Sequence, residues 1–575
     1  MPASFKPHLQ AVFCGLLPGL CYLLVRPYAE IGVGDDWSYI WIAQRLARTG
    51  HINYDGWASP IIGWQLFLGA GFVKIFGFSF TIVRCSILLV AMATAFLLHR
   101  TFVRAGLSDS NATFAVAALV LSQTYLQLSF TFATDVPGIF SIVLCLYLCL
   151  RALEVDSTRS AMAWVSFAAL SNAILGSVRQ TAWFGVLVIV PCTLWILRRK
   201  RPVLLVGGLS CVAGAGVVFA VMRWFSEQPY SEQLVPGAFD HNAVRNVGIL
   251  ATRGGGELCV LLLPVLLLFA GTLRRFTRRR AVAFGAGCLG IAVLGLVLSH
   301  HSGLQHYIAS VTRSTVPDDL FEGSSGQTVR GVHPVPLRSL FCFVLGIATV
   351  SALLSLLTFH LGNLRGTQPP PDKIAYISWK NLAILLGPFT FIYLVSLVPR
   401  ATQGLFSDRY LLPLTALASL AITRYYQDQV RTRLPVASLT VLALFTALSI
   451  TSLHDYFARY RGYLAAIDEL RRAGIPATAI QGPFEYDGWT EVETVGYVNN
   501  STVLNPRGAY VPQPPRSLPG SCDTFFLDMT PVIRPLYGLS SDPDACDGPS
   551  RFPPVTYRTW LGQHESFIYI VRYPI

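Results

Sequence analysis

The chain reads as an all-α polytopic membrane protein with about thirteen transmembrane helices, closed by a C-terminal α/β domain outside the bilayer. Three observations predict this. Hydrophobic residues make up 53% of the 575 and charged residues 13%, with a mean hydropathy of +0.51; no soluble globular domain is built that way. Apolar runs of roughly 17–25 residues, each long enough to cross a bilayer as a helix, recur as far as residue 453. From about Asp455 the composition changes: residues 454–575 hold ten Lys/Arg and thirteen Asp/Glu, whereas the rest of the chain holds 34 and 18.

The expected spans lie near 9–27, 79–98, 111–131, 137–153, 160–177, 180–197, 203–222, 257–273, 281–298, 337–360, 381–398, 409–424 and 435–453. The first lacks a small-residue cleavage site and is expected to stay as an anchor. The formal net charge of +13 does not imply nucleic acid, because the basic residues form short clusters between apolar runs. With Lys6 in the cytoplasm, Arg100 and Arg104, Arg151 and Arg159, Arg198 to Arg201, Arg274 to Arg280, Arg365 and Lys373, and Arg424, Arg431 and Arg433 all fall inside. The expected external loops are then 28–78, 132–136, 224–256, 299–336 and 399–408, and the C-terminus lies outside.

Ten of the twelve cysteines fall in or beside apolar helices, where Cys serves as a small hydrophobe. Cys522 and Cys546 remain, in the polar region assigned to an oxidising compartment, so a disulfide between them is expected. Within that region Asp455 to Ala473 reads as an amphipathic helix closed by Gly474 and Pro476. Thr478 to Gln481 and Phe567 to Val571 read as strands. Glu485, Asp487, Glu491 and Glu493 read as a solvated acidic face.

The most informative stretch is Gly34-Asp35-Asp36-Trp37-Ser38-Tyr39, two carboxylates beside the first span. Acids held at a membrane boundary are costly to desolvate and mark functional sites. Trp37, Ile40, Trp41, Ala43, Gln44, Leu46 and Ala47 have helical spacing, predicting a short helix in the membrane interface with Trp and Tyr at headgroup level. Pro60 to Phe76 predicts a second interfacial helix.

Two external juxtamembrane helices introduced by an acidic pair, with Tyr a few residues on, resemble the first loop of the GT-C glycosyltransferases that use polyprenyl-phosphate sugars. Phe132-Ala133-Thr134-Asp135-Val136-Pro137 is similar to the Thr-Asp-x-Pro turn of that superfamily. Asp408-Arg409-Tyr410-Leu411-Leu412-Pro413 resembles its acidic-Arg-Tyr-x-x-Pro start of a late span. The C-terminal region looks like the external domain of its protein-mannosyltransferase and aminoarabinose-transferase branches (the glycosyltransferase family 39 type). The chain departs from the aminoarabinose type at Ala58-Ser59-Pro60, where those proteins carry Lys-Pro-Pro with the Lys near the donor phosphate, so phosphate ligands must come from elsewhere.

The resemblance implies a catalytic transmembrane domain over 1–453 and an extracytoplasmic domain over 454–575, in a bacterial cell (inner) membrane. Its partners would be a polyprenyl-phosphate-linked sugar, membrane lipid and an extracytoplasmic acceptor, with no nucleic acid. In inverting transfer a carboxylate takes the proton of the attacking acceptor. Asp35 is the first choice for that base and Asp36 the second. Asp135 would orient the acceptor, cap the helix beginning at Val136, or join Asp35 in holding a divalent cation, whose oxygen ligands suit Mg or Mn; no cofactor is otherwise implied. Arg409, with Tyr410 beside it, and Arg179 would bind the leaving phosphate, or snorkel to headgroups. His300, His301 and His306 lie in or beside a Gly/Ser/Thr-rich segment that also holds Arg313 and Arg330 and suits a mobile lid. The competing class, a multispan lipid or solute transporter or flippase, would place polar groups near midplane on repeated halves; neither is seen.

Overall fold

The computed structural model describes the chain except residues 1–5, 233–240, 276–277, 280, 283, 288, 291–337, 364–376, 403–406, 431–432, 504–505, 515, 523–524, 562–564 and 575. The expected lid, with His300, His301, His306, Arg313 and Arg330, lies outside the described residues.

The helices are α1 (Lys6–Val25), α2 (Asp36–Thr49), α3 (Gly63–Phe76), α4 (Phe80–Arg104), α5 (Asp109–Val120), α6 (Gln123–Ser129), α7 (Asp135–Glu154), α8 (Thr158–Leu175), α9 (Val190–Ile196) and α10 (Arg201–Ser226). They continue with α11 (His241–Leu261), α12 (Leu263–Leu266), α13 (Arg338–Asn363), α14 (Trp379–Thr402), α15 (Leu412–Gln429), α16 (Val436–Arg472) and α17 (Phe484–Val495). Among the described residues eight helices are long and apolar enough to span a membrane, or up to ten if each of two bent pairs counts as one span. The expected count of about thirteen therefore exceeds what the described residues hold. Hydropathy sees apolar length but not breaks. The 180–197 run is interrupted by 3-10 and π turns, and the 111–131 run bends by 71° between α5 and α6. The 281–298 run lies largely outside the described residues.

The first loop is shaped from α4. Ser79 caps that helix, its hydroxyl accepting from Ile82 N at 3.4 Å. Glu30 accepts from Phe80 N at 2.9 Å and Thr81 N at 3.3 Å, placing a carboxylate on the positive end of the helix dipole. One turn later Arg84 reaches back to the carbonyls of Ala29 and Ile31 at 2.7 and 2.6 Å. Residues 29–36 are thus wound around the start of a membrane helix.

Both juxtamembrane helices are present, but α2 is not an interfacial helix presenting its indoles to headgroups. Trp37 and Trp41 are buried. Trp37 lies against Gly488 of α17, where a Cβ would come within 2.7 Å of the indole, and Trp41 Nε1 donates to Glu493 Oε1 at 3.0 Å. The protein covers that face. In α3 the apolar residues Phe67, Ile75 and Phe76 remain exposed, a surface that suits lipid.

The C-terminal region begins inside α16, a single 37-residue helix that joins the expected last span to the expected amphipathic helix without a break. Beyond it β1 (Ile480–Gln481), β2 (Tyr537–Ser540), β3 (Val555–Arg558) and β4 (Glu565–Arg572) form a sheet of order β1-β2-β4-β3. Its first pair is parallel and the others antiparallel. The sheet packs on α16, where Gly462 admits Tyr557 and Ile568. Cys522 and Cys546 are disulfide-bonded, with Cα atoms 4.4 Å apart.

Candidate active site

Asp36 and Asp35 are adjacent, yet the start of α2 sends them to different partners. Asp36 is buried and saturated: Arg84 Nε lies 2.7 Å from Oδ2 and Nη2 3.1 Å from Oδ1, while Val33 N and Phe132 N donate at 2.7 and 3.3 Å. Arg84 is equally buried. This pair is a clamp between the first loop, α4 and the chain before α7.

Asp35 faces an opening, its side chain 23% exposed. Its Oδ1 accepts from Trp57 Nε1 at 3.1 Å and its Oδ2 from Arg409 Nη1 at 2.7 Å. Burial alone would raise its pKa, but the Arg409 charge and hydrogen bond, the Trp57 bond and the Arg400 charge outweigh it and hold the carboxyl below the usual range. Asp35 is therefore ionised at neutral pH.

Around it three arginines converge on one ring. The guanidinium carbons of Arg179, Arg400 and Arg409 lie 5.3, 5.7 and 5.6 Å from the Tyr410 centroid. Tyr393 Oη donates to Tyr410 O at 2.9 Å and fixes that turn. Arg179 pairs with Asp135. The helix cap at α7 is Thr134, whose side chain makes no capping bond, so Asp135 serves an ion pair rather than the expected N-cap. Asp135, Gly138, Arg179, Tyr393 and Arg409 line one narrow pocket. Arg400 Nη2 reaches Ser59 Oγ at 3.3 Å, bringing a cation to the place where the first loop lacks Lys-Pro-Pro. Nearby, Ile62 sits in the left-handed region (φ 64°), a strained conformation for a β-branched residue; its N–H donates to Val178 O at 3.1 Å, beside Arg179.

Asp35 and Asp135 each already accept from an arginine, and among the described residues no group of three or more His, Cys, Asp or Glu could hold a metal ion. The arrangement does not fit the expected divalent cation. It fits an anion, whose oxygens would share the arginines.

Several participants were not singled out from the sequence. Arg84 was legible in principle, being a charge inside an apolar span. Asp55 is buried, its Oδ1 accepting from Ser38 Oγ at 2.9 Å and Trp57 N at 3.1 Å; burial pushes its carboxyl up to about 6. Glu232 lies near Arg400 and Ser59; burial raises its pKa, opposed by the Arg400 charge and the Ser59 bond. Of the acidic run of α17 expected to be a solvated face, only Glu493 is exposed; Glu485, Asp487 and Glu491 are buried. Glu485 Oε1 accepts from Gly34 N at 2.8 Å, next to Asp35.

No curated protein is matched by the sequence. Two solved structures of ArnT from Cupriavidus metallidurans, one apo and one bound to undecaprenyl phosphate, are similar at 12% identity and a TM-score of 0.33. The apo match covers 76% of this chain and 77% of that one, and the bound match 78% of each. Residues 59–219 match the family described as dolichyl-phosphate-mannose-protein mannosyltransferase. That segment includes Ser59, Arg84, Asp135 and Arg179, four of the residues assembled above. The described residues form a helical membrane fold with a small C-terminal sheet, and the family match is confined to residues 59–219.

Proposed function

We propose that the protein transfers a sugar, with inversion, from a polyprenyl-phosphate donor to a hydroxyl or amine acceptor outside the cytoplasm, the acceptor being a lipid, glycan or protein. Residues 1–453 carry the chemistry and residues 454–575 form the external domain. The observation that carries this reading is the ionised Asp35 bound to one of three arginines gathered on Tyr410. The donor phosphate enters among Arg179, Arg400 and Arg409, which neutralise the charge that builds as the sugar–phosphate bond breaks. The acceptor oxygen or nitrogen bonds to the anomeric carbon, its proton passes to Asp35, and the lipid phosphate leaves with the bonding electrons. Donor binding also prepares the base. As Arg409 turns part of its hydrogen bonding to phosphate, its hold on the carboxylate weakens and proton affinity rises. Transfer of radiolabel by purified protein from a panel of polyprenyl-phosphate sugars tests the assignment. Label should leave at least one donor and reach an acceptor; no binding of any lipid-phosphate sugar would overturn it.

A further inference from the structure

The C-terminal region and the acidic pair meet through one buried carboxyl. Glu485, on the first turn of α17, is fully buried. Its Oε1 accepts from Tyr460 Oη at 2.6 Å and from Gly34 N at 2.8 Å, while its Oε2 is buried without a partner. Gly34 stands immediately before Asp35 at φ 58°, in the left-handed region. The loop and α17 are in close contact here: a Cβ on Gly32 would lie 2.4 Å from Trp37 Cβ and 2.9 Å from Glu485 Cβ. Farther along the same two helices Gly488 admits Trp37, and Glu493 accepts from Trp41.

The contacts at the far end of this seam hold two helices together. The contact at its near end ties down the backbone N–H one residue from the carboxylate that faces Arg409. We propose that Glu485 is a positioning residue for Asp35: the C-terminal region pins the left-handed turn at Gly34 and so sets the direction in which Asp35 points. Tyr460 orients the acceptor oxygen of Glu485. Burial pushes this carboxyl up to about 8, against the hydrogen bonds from Tyr460 and Gly34, with the Asp36 charge acting in the same direction as burial. At neutral pH it is a neutral acid, which Gln imitates in both shape and charge.

The catalytic consequence rests on the transferase reading above, but the contact can be tested without it. The full-length protein is purified as wild type and as Glu485→Gln, Glu485→Leu and Glu493→Ala. Amide exchange of the peptide containing residues 32–36 is followed alongside thermal unfolding and transfer kinetics. Glu485→Leu, which removes the acceptor of Gly34 N, should speed exchange of that peptide by about tenfold or more. It should lower kcat by about 10–100-fold while KM for the lipid-phosphate donor stays within about threefold. Glu485→Gln should restore both readouts. Glu493→Ala, which breaks the far end of the seam, should change neither exchange at 32–36 nor kcat, even if unfolding temperature falls. Unchanged exchange in Glu485→Leu, faster exchange with unchanged kcat, or equal effects from Glu493→Ala would each overturn the positioning role. If Glu485→Leu does not fold, failure of Glu485→Gln to keep wild-type exchange and kcat overturns it. Should the wild type transfer no sugar, the transferase reading fails, and the exchange data still decide whether Glu485 fixes the turn.

Discussion

Arg409 Nη1 lies 2.7 Å from Asp35 Oδ2, joining residues 374 positions apart. One side chain comes from the loop after α1 and the other from the turn before α15. In the proposed reaction the pair joins a proton acceptor to a phosphate ligand, so each should report on a different step. Asp35→Asn keeps volume but removes proton affinity; turnover should fall by about 10²–10⁴ while donor affinity changes little. Arg409→Ala should instead raise the donor Kd through loss of a charge-assisted contact. Kinetics and equilibrium binding on purified protein separate the two. Normal transfer by Asp35→Asn would remove it as the base.

Asp36 should behave oppositely to its neighbour. Its pair with Arg84 is buried on both sides, and removing one partner of such a pair costs about 3–5 kcal/mol. Asp36→Ala should therefore lower the unfolding temperature in detergent far more than Asp35→Asn does. Equal melting of the two variants would contradict the division of labour between the carboxylates.

Buried acids give the stability a signed pH dependence. Folding raises Glu485 from 4.5 to about 8 and Asp55 from 3.8 to about 6. Between the unfolded and folded values the native state holds the extra proton. The contribution of these two acids to stability is therefore greatest on the acid side and falls as pH rises, through roughly 4–6 for Asp55 and 4.5–8 for Glu485. The Glu485→Gln variant should lose less unfolding temperature than wild type between pH 6 and 8, as scanning fluorimetry in detergent would show.

Orientation is open to a direct measurement. A reporter fused after Ile575 should be active outside the cytoplasm, and one fused after Lys200 inside. The reverse result would move the arginine cluster to the cytoplasmic side.

The Cys522–Cys546 bridge closes a loop in the C-terminal region, and Cys546 N donates to Ser521 Oγ at 3.0 Å beside it. Replacing both cysteines by Ser should lower stability by about 2–4 kcal/mol without abolishing transfer. Mass spectrometry of native membranes should find the pair oxidised.

The sequence by itself determined the membrane class, because apolar length and the scarcity of charge are additive properties of composition. It also marked Asp35-Asp36, Asp135, Arg179 and Arg409-Tyr410, because acids and arginines beside apolar spans stand out against a uniform background. Placing them on one side needed only the distribution of Lys and Arg, and the fold does bring them together. Hydropathy did not foresee bends such as that between α5 and α6, where backbone geometry rather than apolarity interrupts the helix. It could not tell which of two adjacent acids faces the opening: that depends on Arg84 of α4, 48 positions from Asp36, and on Arg409 in the turn before α15. Nor could it see that Glu485, Asp487 and Glu491 of α17 are buried, since their spacing resembles any solvated face and the backbone N–H that Glu485 accepts from lies 451 positions earlier, at Gly34. Burial, ion pairing and the aim of a carboxylate are pairwise properties of distant residues, and only the tertiary structure decides them.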